Sequence, residues 1–122
     1  MPKRVNYARK KRLPEGEPSF RALYHSYKLA AQRRNLFFNL PVDEFRPLAK
    51  MNCHYCGSEP LGVKRTDSGI YRFNGLDRID NEIGYEIDNV VPCCKICNRA
   101  KNDMPYEDYI DWINALIEHK KQ

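Results

Sequence analysis

The sequence predicts an α+β domain: a small β-hairpin and helix held by a structural zinc site, with one helix on the N-terminal side and another on the C-terminal side. Three observations predict it. Apolar residues recur with helical spacing over residues 19–34 and again over 105–119. Between these stretches the chain breaks into short extended runs punctuated by turn residues. Two Cys-x-x-Cys pairs, Cys53/Cys56 and Cys94/Cys97, bracket that middle region with 37 residues between them.

At 122 residues the chain makes one small domain. Such a domain buries a modest core and gains from a metal cross-link. Charge is unevenly spread. Residues 1–50 carry 12 Lys/Arg against 4 Asp/Glu, and residues 51–122 carry 9 against 12. A basic half joined to a mildly acidic half points to a polyanionic partner for the first half, the alternative being a solubilising tail. The opening MPKRVNYARKKRLPEGEP is basic and polar, unlike an apolar signal segment. The five cysteines are therefore read in a cytoplasmic setting. There, tight clusters of cysteine signify metal ligation more than cross-linking. No run approaches the ~20 apolar residues of a membrane span.

Taken in order, residues 1–18 read as a flexible basic arm, with residues 19–122 forming one zinc-stapled domain around a core at 52–103. Lys3, Arg4, Arg9, Lys10, Lys11 and Arg12 would meet phosphates, or else form a tail without function. The first helix places Phe20, Leu23, Tyr24, Tyr27, Ala30 and Ala31 on one face. Ser19 is its expected cap, with Pro18 at its start. Arg33 and Arg34 at its end either touch nucleic acid or simply suit the helix dipole. His25, off the apolar stripe, should face solvent. Leu36–Leu40 is a short extended piece. A short helix from Pro41 to about Ala49 packs Phe45, Leu48 and Ala49, although Pro47 blurs its end. Residues 58–72 read as loop and weak strand. Tyr71 to Asp80 reads as one strand, Asn81–Gly84 as a turn, and Tyr85–Val91 as loop and returning strand. Pro92 is expected to open a helix running to about Asp103. In the last helix Tyr106, Tyr109, Ile110, Ile113, Leu116 and Ile117 share a face that reads as core, with a dimer contact as the minority reading.

The two cysteine pairs supply four thiolates, the donor set of a closed tetrahedral Zn²⁺ site. A closed site leaves no position for substrate, so its work is structural. Gly57 after the second ligand permits the turn a positive φ. Cys93 is an alternative to Cys94 through a wider spacing; Cys94 is preferred and Cys93 is read as a small buried thiol. His54 inside the first pair points away.

Between the pairs lies Gly75-Leu76-Asp77-Arg78-Ile79-Asp80-Asn81, followed by Gly84-Tyr85, Asn89-Val90 and, in the helix, Asn98 and Lys101. A strand-end carboxylate and a helical amide bring hard oxygen donors together, which suits Mg²⁺ or Mn²⁺. Arg78, Arg99 and Lys101 are cations for phosphate. The alternative is an ion-pair cluster of Asp77, Asp80 and Arg78 that stabilises a hairpin. The whole pattern, from Cys53-x-x-Cys56-Gly57 through Asn74–Asp80, Gly84-Tyr85 and Asn89-Val90-Val91 to Cys94-x-x-Cys97-Asn98-x-x-Lys101, resembles the HNH nuclease family. It is most similar to phage-type members with paired zinc cysteines around the ββα-metal finger.

The resemblance implies a metal-dependent DNA endonuclease or nickase hydrolysing phosphodiester bonds, from a phage or other mobile element. It implies that Asp77 and Asn98 hold the catalytic divalent metal and that Asn89 braces the finger loop. The family's general base is a His at the position of Arg78. Guanidinium cannot accept a proton near neutrality. Either Arg78 clamps phosphate while Asp80 or metal-bound water supplies the base, or the protein binds without cutting, or His25 or His54 approaches. Two rival classes stand beside the nuclease: a zinc-stapled nucleic-acid-binding protein with a vestigial site, and an interaction protein that grips a partner, or a second copy, through its last helix.

Overall fold

The computed structural model describes residues 16–122. The basic residues Lys3, Arg4, Arg9, Lys10, Lys11 and Arg12 lie outside the described residues. Helix α1 spans Glu17–Arg33 and starts two residues before Ser19. Gly16, left-handed at φ 85°, turns the chain into the helix, and Pro18 sits in the first turn. Ser19, expected as the cap, is instead buried inside the helix. Its hydroxyl donates to the Gly69 carbonyl at 2.8 Å and lies 2.8 Å from Thr66 Oγ1. The expected apolar face is present, with Phe20, Leu23 and Ala31 buried, Tyr24 and Tyr27 packed beside them, and His25 exposed. The helix ends where Asn35 adopts φ 58°. Its N–H reaches Gln32 O at 3.1 Å, and the Leu36 N–H reaches Ala31 O at 2.9 Å. Those two bonds satisfy carbonyls the helix end would leave open.

Strand β1 (Phe38–Asn39) pairs in parallel with β5 (Tyr85–Glu86). The contact depends on Gly84, because a Cβ there would lie 2.2 Å from the Phe37 carbonyl oxygen. Helix α2 (Val42–Ala49) continues through Pro47 and buries Phe45 and Ala49. These elements pack with Leu40, Leu76, Tyr85 and Val90 into the larger core. Half of its aromatic pairs meet edge-on, as Tyr24 and Phe45 do at 5.1 Å and 82°.

The middle of the chain departs from expectation in three places. Residues 58–72 hold a true hairpin, β2 (Gly62–Thr66) antiparallel to β3 (Gly69–Phe73). The single strand expected over Tyr71–Asp80 is two strands, β3 and then β4 (Gly75–Arg78), broken at Asn74. Asn74 leaves the ladder because its own groups are engaged elsewhere: its backbone N–H bonds Ala49 O, and its Nδ2 bonds Met51 O and Ser58 O. Pro92 lies in β6 (Val90–Cys93), opposite Leu76, and does not open a helix. Helix α3 (Lys95–Lys101) begins later because the Cys94 sulfur is its cap, accepting from the Cys97 N–H at 3.4 Å. The antiparallel pair β4–β6 followed by α3 forms a ββα unit. A short 3-10 turn, Ile87–Asn89, connects β5 to β6.

Helix α4 (Tyr106–Lys120) follows Pro105, as expected. Only its first half is core. Tyr109 is buried against Tyr55, with ring centroids 5.0 Å apart, whereas Leu116 and Ile117 are almost half exposed. The helix outruns the surface it packs on, so its periodic face extends past any partner among the described residues. No helix among the described residues is long and apolar enough to cross a membrane.

An ion-paired fork ties α1 to α2. Arg46 donates to both Glu17 oxygens at 2.8 Å, and Arg21 adds a bond at 3.2 Å. The Arg46 hydrogen bond holds the Glu17 carboxyl down at about 2, against 4.5 ordinarily. A lowered carboxylate pKa stabilises the fold above the unfolded value and loses that effect as pH falls through the folded one. The stability advantage of wild type over Glu17→Gln should therefore be constant above pH ~5 and shrink as pH drops below ~4.5. Urea midpoints of the two proteins at each pH check this, since the acid sensitivity of the thiolates is common to both.

Candidate functional site

Two local turns aim the cysteines at one point. In the first, Gly57 takes φ 77°, its N–H bonds Cys53 O at 2.9 Å, and the Cys53 N–H bonds Ser58 O at 2.8 Å. The second is the start of α3. The sulfurs of Cys53, Cys56, Cys94 and Cys97 all lie within 4.8 Å of one another, with Cys56 and Cys94 at 3.6 Å. A tetrahedron of ~2.3 Å Zn–S bonds places its sulfurs ~3.8 Å apart, so the four residues fit a zinc ion. The Ser58 hydroxyl, 2.8 Å from the Cys56 sulfur, pulls that thiol down to about 6 and presents a thiolate at neutral pH. Burial pushes the Cys97 thiol up. Cys93 is outside the group; its thiol is buried, raised by that burial, and turned to the Cys94 carbonyl at 3.4 Å. His54 is also outside, with Nε2 2.9 Å from the Tyr106 hydroxyl.

The loop after β4 is held by two side chains. Asn89 accepts from the Asp80 N–H at 2.8 Å and donates to the carbonyls of Asp80, Ile83 and Gly84 at 3.0–3.2 Å. Arg78 is buried and donates to the Asn81 and Ile83 carbonyls, with its guanidinium 5.7 Å from the Tyr85 ring centroid. It is spent on the loop and is not a free phosphate clamp. The cluster expected of Asp77, Asp80 and Arg78 does not form. Asp80 stands exposed, one oxygen accepting from the Glu82 N–H at 2.9 Å.

Asp77 is buried and faces a different partner. Lys101 Nζ lies 3.2 Å from its Oδ2 and 3.4 Å from its Oδ1, and the Tyr55 hydroxyl donates to Oδ2 at 2.6 Å. Burial, and then the Asp77 carboxylate, push the Tyr55 hydroxyl well above the usual phenol range, so it stays a donor. Lys101, expected on the surface for phosphate, is 1% exposed. It is a structural counter-charge, reaching from the last turn of α3 to the Asp77 carboxylate and toward the Arg78 carbonyl of β4. Arg33, Arg34 and Arg99 are exposed. Asn98 is exposed on α3 and has no side-chain bond to Asp77. As arranged, both oxygens of the Asp77 carboxylate face the Lys101 ammonium. Tyr55 escaped the sequence reading although it sits inside the first cysteine pair. Any side chain there travels with the cysteine cluster toward β4, and that was the available signal.

Two predictions test this geometry. Cys93→Ala should keep one zinc per chain by metal analysis, whereas Cys94→Ser should lose the zinc and the cooperative unfolding transition. Lys101→Met strands the buried Asp77 charge and should lower stability by ~3–5 kcal/mol in denaturant titration. Adding Asp77→Asn to it should recover most of that loss.

No family model matches the chain. It is 39% identical over 87 residues to uncharacterized protein R423 of Acanthamoeba polyphaga mimivirus, a match covering 71% of this chain and 15% of that protein. It is 31% identical over 65 residues to a Bacillus subtilis (strain 168) protein named "SPbeta prophage-derived putative HNH endonuclease YoqL", covering 52% of this chain and 27% of that protein. The chain thus spans about a seventh and about a quarter of these two relatives. Among solved structures it superposes on the rare-cutting HNH restriction endonuclease PacI with a TM-score of 0.58 at 20% identity, over 80% of this chain and 75% of that one. The α+β architecture, the four-cysteine cluster and this superposition agree: the fold of this chain is HNH-like.

Proposed function

We propose that this protein is an HNH-type DNA endonuclease or nickase that hydrolyses phosphodiester bonds and belongs to a virus or other mobile element. The likeness of its fold to the HNH restriction endonuclease carries the reading. The prophage and mimivirus relatives support it. The zinc knot fixes α3 against β4. Asn89 keeps the loop in one conformation, so that Asp80 and Asn98 are presented to substrate at its rim. Exposed Arg33, Arg34 and Arg99, with the basic arm, balance the phosphate charge. Arg78 cannot act as base, and Asp80 is the carboxylate in reach of solvent for that role. HNH chemistry draws on Mg²⁺ or Mn²⁺. For such an ion to be held at Asp77, the Lys101 ammonium must first withdraw.

The same ammonium, and the arginine in the base position, favour a second reading: a nucleic-acid-binding protein that cuts weakly or not at all. Supercoiled plasmid, incubated with the zinc-loaded protein and Mg²⁺ or Mn²⁺, separates them. The nuclease should nick it, and Asn98→Ala and Asp80→Asn should each slow nicking ~10²–10⁴-fold with unchanged melting. Both residues are exposed, so these variants report chemistry, whereas Asp77→Ala would also break the buried pair. Intact plasmid under every divalent ion leaves the binding reading.

A further inference from the structure

The β2–β3 hairpin lies outside the ββα unit, and the proposed chemistry makes no use of it. Its register pairs Val63 with Arg72 and Arg65 with Ile70, so these four side chains share one face. The opposite face is fastened to α1. Tyr71 packs on Phe20 at 5.0 Å, and Ser19 bonds both Thr66 and Gly69. The fastened face makes the ribbon a rigid mount; the other faces water. On it Arg65 and Arg72 are exposed, and neither side chain has an ion-pair or hydrogen-bond partner among the described residues. Lys50, just after α2, lies nearby but on the fastened side: its Nζ bonds the Arg72 carbonyl at 2.6 Å and sits 4.1 Å from the Tyr71 ring centroid. Asp67 at the turn is the one acid in the ribbon. Two arginines with no acid partner among the described residues, side by side on one face of a braced two-stranded element, are the electrostatic footprint of a polyanion contact.

The ribbon also borders the candidate site. A groove of about 580 Å³ runs from its edge at Leu61, Val63 and Phe73 to Lys95, Ile96 and Asn98 on α3. Neither arginine lines the groove, whose wall also carries Glu59; Val63, paired with Arg72 across the ribbon, joins the arginine face to it. We propose that the outer face of β2–β3 is a second nucleic-acid contact, in which Arg65 and Arg72 grip the backbone of duplex DNA flanking the candidate site. The inference rests on the nucleic-acid reading above and adds where the duplex lies.

The test is binding without cleavage: fluorescence anisotropy of a labelled mixed-sequence duplex with full-length, zinc-loaded protein and no added divalent ion, across a salt series. Each phosphate contact contributes ~0.9 to the slope of log affinity against log salt. Arg65→Gln/Arg72→Gln should weaken binding ~10- to 100-fold at physiological salt and flatten the slope by about 1.8. Arg65→Lys/Arg72→Lys should keep the wild-type slope. Both residues are exposed, so the melting temperature should not move. Wild-type binding with an unchanged slope in the Gln variant overturns the ribbon contact alone. A wild type that does not bind DNA overturns it together with the nuclease reading.

Discussion

Convergence of four sulfurs is the constraint on which the rest of the structure depends. The domain has two small cores instead of one large one, and the cysteines join the segment around Cys53–Cys56 to the start of helix α3. Free energy of zinc binding in such sites is of the order of 10 kcal/mol, comparable to the whole stability of a domain this size. The knot also sets positions. It brings Tyr55 to Asp77, and it starts α3 where its last residue, Lys101, reaches the same carboxylate. Tyr109 and Tyr106 of α4 then close over Tyr55 and His54. A cluster of four cysteines thus arranges the polar groups around it.

A second level of order is the loop between β4 and β5. Asn89 satisfies one N–H and three carbonyls there, and Arg78 satisfies two carbonyls from the other side. Each such bond is worth ~1 kcal/mol net, and a buried group left unpaired costs ~1–3 kcal/mol. A loop with so many carbonyls directed inward would not keep its shape with apolar residues at positions 78 and 89. The arginine at position 78 is therefore explained by the loop itself, whatever chemistry the site performs.

Much of this was legible from residue order. The cysteine spacing gave the knot, helical periodicity gave α1 and the start of α4, and the resemblance gave the ββα unit. What failed to show follows from tertiary contact. Asn74 breaks a strand because its amide is needed by carbonyls of Met51 and Ser58, sequence neighbours of neither strand. Ser19 looked like a cap because its hydroxyl suits one, but Thr66 and Gly69, some fifty residues on, claim it. Lys101 looked like a phosphate ligand because periodicity of charge does not report depth. The exposed end of α4 repeats the pattern of a core helix, and pattern alone does not reveal where the underlying surface stops.

The close approach of Gly84 to Phe37 carries one further consequence. The turn that leads into β5 rests directly on the backbone entering β1, with no room for even a methyl group between them. Leu76, Tyr85 and Val90 of the ββα region are covered by α1, β1 and α2 rather than by the zinc knot. The finger is consequently not a transplantable module. A fragment beginning at Asn52 would keep every thiolate yet expose its hydrophobic underside, and its loop would have nothing to lean against.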